Sequence, residues 1–130
     1  MEIQQELNPK ICLIGYGYWG KIIHKNLLSL GYTDIKIIDI VLDNYHELTD
    51  EYTHYFVITP FLSHLQELKK ISSFKNKKIW CEKPLVQTSV EADMIYHLME
   101  TNNNQLFRHR ILFVYGNWNT ISRSYHIQRW

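Results

Sequence analysis

The sequence predicts an α/β fold, a doubly wound parallel sheet in three αβα layers built as a single domain. Three observations predict it. Short apolar runs alternate with segments of helical period, a glycine-rich turn follows the first run directly, and 130 residues with 45% apolar side chains suffice for one core and not for two. An ordinary two-domain enzyme does not fit in this length. Five glycines and three prolines beside 14% aromatic residues are also far from a disordered or collagen-like composition.

The first strand is Ile11-Cys12-Leu13-Ile14. Beyond the glycines, Trp19, Ile22, Ile23, Leu27 and Leu30 recur at spacings of three and four, one apolar stripe of a helix that Gly31 ends. The second strand, residues 35–38, stops at Asp39. Only residues 40–54 separate it from a third strand at 55–58, close to the minimum for a parallel crossover, so any helix there is short. Thr59-Pro60 then reads as cap and first residue of a helix whose inward face is Leu62, Leu65, Leu68 and Ile71. Strand four is residues 78–81, and Thr88-Ser89-Val90-Glu91 is a capping box opening a helix to about Met99, ended by Asn102-Asn103-Asn104. A fifth strand lies at 105–109 or at 111–115. These elements assign residues 1–115 to the sheet domain and leave 116–130, which has no clear period, as a tail or the stub of a further domain.

Gly15-Tyr16-Gly17-Tyr18-Trp19-Gly20 matches G-x-G-x-x-G between a predicted strand and a predicted helix. The first glycine permits the tight turn, the second lets backbone approach a pyrophosphate, and the third lets helix and strand pack closely. A phosphate there would rest on free N–H groups at the helix N-terminus. Asp39, nineteen residues past Gly20, stands where a carboxylate accepts the ribose hydroxyls of an adenosine. That acid favours NAD over NADP, because a 2′-phosphate would meet a like charge. Gly15 to Lys21 also satisfies seven positions of G-x-x-x-x-G-K-[ST]. Ile22 fills the eighth and brings no hydroxyl for Mg²⁺, which disfavours nucleotide hydrolysis.

In an open parallel sheet the ligand lies beyond the carboxyl ends of the strands, so Thr59-Pro60 and Glu82-Lys83-Pro84 face the same crevice as the glycine turn. Pro84 keeps Lys83 out of helical geometry. A lysine so placed can orient a hydroxyl or ketone, or move a proton. Taken alone, the same residues read as a surface ion pair.

Three motifs in this order and spacing, Gly15 to Lys21, Ile58-Thr59-Pro60 with His64, and Glu82-Lys83-Pro84, resemble the glucose-fructose oxidoreductase/inositol dehydrogenase/MocA family over about residues 11–100. The tyrosine-tryptophan form of the turn is most similar to members that oxidise nucleotide-linked sugars. The resemblance implies a Rossmann-type nicotinamide-dinucleotide domain bound by Gly15, Gly17, Tyr18, Trp19, Gly20 and Asp39. It further implies that Thr59 and Pro60 line the middle of the cofactor, that His64 lies near it, and that Glu82 and Lys83 approach the nicotinamide, Lys83 within the catalytic group. Unaided, His64 reads as a helix-surface histidine.

The family's substrate domain, some two hundred residues of antiparallel sheet, is outside this length. It usually supplies the acid/base residue, most of the substrate pocket and the face through which subunits pair. Half a crevice neither excludes water nor orients a sugar, so little or no dehydrogenase activity is expected of the chain alone, together with self-association or an unidentified protein partner. The alternative is a non-catalytic nucleotide-binding or interaction module.

Net charge is +1, with all ten lysines at or before Lys83 and all four arginines from Arg108 onward. The acid-free, aromatic segment 105–130 reads either as strand five and the stub of a missing helix ending the fold, or as a truncated or frame-altered gene end. Nucleic-acid binding is disfavoured by the near-neutral chain. Cys12 and Cys81 are expected as buried thiols, the histidines have no metal spacing, and no stretch has the length of a membrane span, so a cytoplasmic setting is expected.

Overall fold

The computed structural model of the chain describes residues 9–82, 85–108 and 126–128. Five parallel strands, β1 (Ile11–Ile14), β2 (Ile35–Ile38), β3 (His54–Val57), β4 (Lys78–Cys81) and β5 (Gln105–Arg108), form one sheet with a sixth, β6 (His126–Gln128). Strand order is β2-β1-β3-β4-β5-β6, with β6 antiparallel to β5. The chain leaves β1 first to one side and then to the other, which puts the topological switch point between β1 and β3.

Both faces of the sheet are covered, which is why its strands are continuous apolar runs rather than alternating ones. On one face Cys12, Ile14, Tyr55, Val57, Ile79 and Cys81 meet Leu68 and Ile71 of α2 (His64–Ser72) and Ile95 and Met99 of α3 (Ser89–Thr101). On the other, Ile11, Leu13, Phe56, Trp80 and Phe107 pack with Ile23 and Leu27 of α1 (Tyr18–Ser29). Phe56, Trp80 and Phe107 are register partners across β3, β4 and β5. Their rings stack at 4.8 and 4.3 Å between centroids, a cross-strand aromatic ladder that fixes register.

Helix α1 closes as its sequence suggests. Gly31 takes φ +95°, while Tyr32 N donates to Leu27 O at 3.1 Å and Gly31 N to Leu28 O at 3.0 Å, the paired bonds of a Schellman end. The β2–β3 crossover holds two 3-10 turns, Ile40–Leu42 and Tyr45–Glu47, separated by Asp43 at φ +52°. Helix α3 begins at Thr88, whose hydroxyl accepts from Glu91 N at 3.1 Å, but the Glu91 carboxylate reaches back to Gln87 N, one residue before the cap. The three asparagines do more than end it. Asn104 donates to Ser72 O and Phe74 O and accepts from Lys77 N, tying α3 to the loop between α2 and β4.

Two expectations need correction. Strand β3 begins and ends one residue earlier than 55–58, although Ile58 N still donates to Ile14 O at 2.8 Å. Thr59-Pro60 does not start a helix. Pro60 at ψ +148° precedes a 3-10 turn at Phe61–Ser63, and α2 begins at His64. That delay rotates the inward face, so Leu62 is 76% exposed while His64 and Glu67 are buried. Of the two candidate fifth strands the first is formed, as Gln105–Arg108, and 111–115 lies outside the described residues. Strand β6 within 116–130 had no sequence signal. Both cysteines are free and buried as expected, and burial pushes the Cys12 thiol up to about 12 and the Cys81 thiol higher. Among the described residues no helix is long and apolar enough to cross a membrane.

Candidate functional site

The carboxyl ends of β1, β2 and β3 open on a cavity of about 770 Å³. Its floor is the glycine turn. Gly15 sits at φ +99°, and a Cβ there would lie 2.6 Å from Ile58 O; a Cβ on Gly20 would run into Gly15 O. These two are therefore glycine because the turn, β3 and the start of α1 approach so closely. Gly17 differs. It has a negative φ, and a Cβ on it would meet no atom within 4 Å. It is the N-cap of α1, with no side chain capping it and no acid in the first turn, so the N–H groups there face open space with the helix dipole behind them.

Asp39 lies at the tip of β2 on the same cavity. Its carboxylate accepts from Tyr16 N at 2.6 Å through Oδ2 and from Val41 N at 2.8 Å through Oδ1. Asn44 anchors the residue from below, accepting from Asp39 N at 3.0 Å and donating to Ile37 O at 2.8 Å. Two backbone donors leave about half of the carboxylate's acceptor capacity for a further hydroxyl pair. The acid is thus bonded to the glycine turn itself, which holds the two motif parts in one fixed relation.

Tyr18, Trp19, Thr59, Pro60, His64 and Glu82 also line the cavity, whereas Gly20 is buried beneath the turn. Lys83 and Pro84 lie outside the described residues. Thr59 Oγ1 is buried without a hydrogen-bond partner among the described residues, which leaves one polar atom at the wall unsatisfied. His64 is not a surface histidine. Its ring is 1% exposed, with Nε2 3.0 Å from Thr59 O and Nδ1 3.1 Å from Leu85 O.

Several lining residues carry no motif signal. Ile40 follows Asp39 and projects 79% exposed at the rim, while Tyr45 and Phe61 enter from the crossover and from the 3-10 turn before α2. Behind Tyr45 lies Glu67 of α2, a buried carboxyl whose pKa is raised by that burial; the Tyr45 hydroxyl and Lys70 act in the opposite sense. Burial and the adjoining carboxylate push the Tyr45 phenol above its ordinary range.

No protein-family model matches the chain, and no curated protein does either. Solved structures do. The proposed oxidoreductase yvaA of Bacillus subtilis superposes with a TM-score of 0.66 at 21% identity, over 78% of this chain and 35% of its own. A proposed dehydrogenase of Thermotoga maritima gives 0.61 at 20% identity, over 75% and 35%. An NAD-binding protein from Listeria innocua gives 0.59 at 19%, over 79% and 34%. The chain spans about a third of the length of the structures it matches. At these identities the likeness establishes one thing: the chain has the Rossmann-like α/β fold that these oxidoreductases use.

Proposed function

We propose that this chain binds a nicotinamide dinucleotide, NAD in preference to NADP, as the cofactor half of an oxidoreductase whose substrate is a sugar or a sugar nucleotide. The observation that carries the reading is Gly17. Nothing in the fold demands a glycine there, yet a side chain would fill the space over the uncapped start of α1 where a diphosphate would sit. The fit extends along the cavity. Asp39 offers acceptors for the adenosine ribose and opposes a 2′-phosphate, and Thr59, Pro60 and Glu82 line the same cavity.

When bound, the nicotinamide supplies hydride acceptance. What the chain's own residues do is bind and orient: the turn's N–H groups hold negative charge, and the carboxylate fixes the adenosine end. The family resemblance assigns Lys83 to the group that would meet the substrate and handle its hydroxyl proton; in that family a second domain supplies the acid/base partner and most of the substrate walls. The resemblance of the turn to enzymes of nucleotide-linked sugars supports that substrate class.

The test is an NADH fluorescence titration. Saturable binding is expected, weaker for NADPH, with Asp39→Ala losing about tenfold to a hundredfold, the worth of hydrogen bonds to a charged acceptor. Unchanged affinity in Gly17→Val overturns the site. Lys83-dependent reduction of NAD with a sugar nucleotide supports the enzyme, and binding without turnover supports the non-catalytic module.

A further inference from the structure

His64 is buried at the edge of the cavity and reaches two separate backbone segments. It is the first residue of α2, and its ring stands between two backbone segments that share no hydrogen-bonded ladder at that point. Nε2 faces Thr59 O at 3.0 Å, just past the end of β3, and Nδ1 faces Leu85 O at 3.1 Å, four residues past the end of β4. The Cys81 Sγ lies 3.5 Å from Nδ1, and the Phe61 ring meets the imidazole edge-on at 5.9 Å. Carbonyl oxygens only accept, so a ring nitrogen holds its segment when it carries the hydrogen, Nε2 toward Thr59 O or Nδ1 toward Leu85 O.

The two segments are the ones whose spacing matters. Thr59, Pro60 and Glu82 all line the cavity, from the ends of adjacent strands β3 and β4. Strand pairing fixes Glu82 from its N-terminal side, through Glu82 N to Val57 O at 3.3 Å. Past Glu82, whose carbonyl also lies 3.5 Å from Cys81 Sγ, the next described residue is Leu85, and its carbonyl meets His64. We propose that His64 is a positioning residue: a side-chain brace that sets the distance between the Thr59 and Glu82 segments, and so shapes the nicotinamide half of the cavity without touching the adenosine half. The Asp39 end is held by separate bonds, from Tyr16 N and Val41 N. The proposal rests on the dinucleotide reading above and deepens it by assigning the two halves of the site independent supports.

Amide side chains divide the brace. The Asn Nδ2 falls near the His Nδ1 and the Gln Nε2 near the His Nε2, so His64→Asn keeps a donor toward Leu85 and His64→Gln one toward Thr59, whereas His64→Leu keeps neither. The experiment measures the affinity of each variant for NADH and for ADP-ribose, which lacks the nicotinamide, with far-UV circular dichroism and melting temperature alongside. His64→Leu is expected to lose tenfold or more for NADH and less than twofold for ADP-ribose, with partial recovery in both amide variants. Equal loss for the two ligands, or wild-type NADH affinity in His64→Leu, overturns the brace. If His64→Leu does not fold, the same comparison in His64→Asn and His64→Gln decides. Failure of the wild-type chain to bind either ligand is a different result, and it removes the dinucleotide reading itself.

Discussion

Gly15 and Gly17 stand two residues apart and are glycine for different reasons. At Gly15 the backbone is left-handed and β3 approaches so closely that a methyl group would meet Ile58 O at 2.6 Å. Gly15→Ala should therefore lower stability by about 2–4 kcal/mol, through strain and overlap together. Gly17→Ala has room, and its melting temperature should stay within about 2 °C of wild type while NADH affinity falls; thermal melts beside the titration check both. Glu67 offers a second contrast. Its carboxyl pKa is raised above 4.5 by burial, so the folded state holds the proton more tightly than the unfolded chain. The stability it contributes is full below pH 4.5 and is lost as pH rises through the folded value. Glu67→Gln keeps an acceptor for Tyr45 and cannot ionise. It should raise the melting temperature at pH 8 by roughly 3 °C, and the gain should shrink toward pH 4; a gain independent of pH contradicts the assignment.

At the scale of elements, the sequence is most informative where one physical requirement has one solution. Strands β1, β2 and β4 are apolar runs bounded by glycine, acid or polar residues, and the structure keeps them at the expected residues. The cap of α3 is equally legible, since Thr88 and Glu91 stand at the spacing that joins hydroxyl to amide. Thr88→Ala should cost about 1 kcal/mol, a drop of about 3–6 °C in melting temperature. Thr59-Pro60 has two solutions, because proline suits both the first turn of a helix and an extended approach to one. Here the extended form prevails. It leaves the Thr59 carbonyl facing His64, and the helix starts late enough to turn His64 and Glu67 inward. Strand β6 is three residues long at a sheet edge, too short for a period to register. Most of the described motif residues line one cavity, but Tyr45 and Phe61 reach it through the path of the crossover and of a 3-10 turn, which no local pattern encodes.

Across the whole molecule, one charge bears on the sheet by being kept off it. His54 opens β3 with its ring stacked 5.7 Å from Trp80, beside the ladder that joins β3, β4 and β5. Burial is the main cause, and the Lys78 ammonium a lesser one, that pulls its pKa from 6.5 down to about 3. Below pH 6.5 the unfolded chain takes up a proton that the folded chain refuses. Stability is thus full above pH 6.5, declines as pH falls, and has lost this contribution by about pH 3. A displacement of this size is worth on the order of 5 kcal/mol, a large part of the stability of a small domain. Since Trp80 touches both Phe56 and Phe107, charging His54 should release the ladder cooperatively rather than fray one edge. Urea unfolding of wild type and His54→Gln between pH 7 and pH 4 reads this directly. The wild-type midpoint should fall steeply across that range and the variant's should fall less, with the two converging in slope above pH 7. Parallel slopes throughout would mean that the acid sensitivity of the sheet resides elsewhere than in His54.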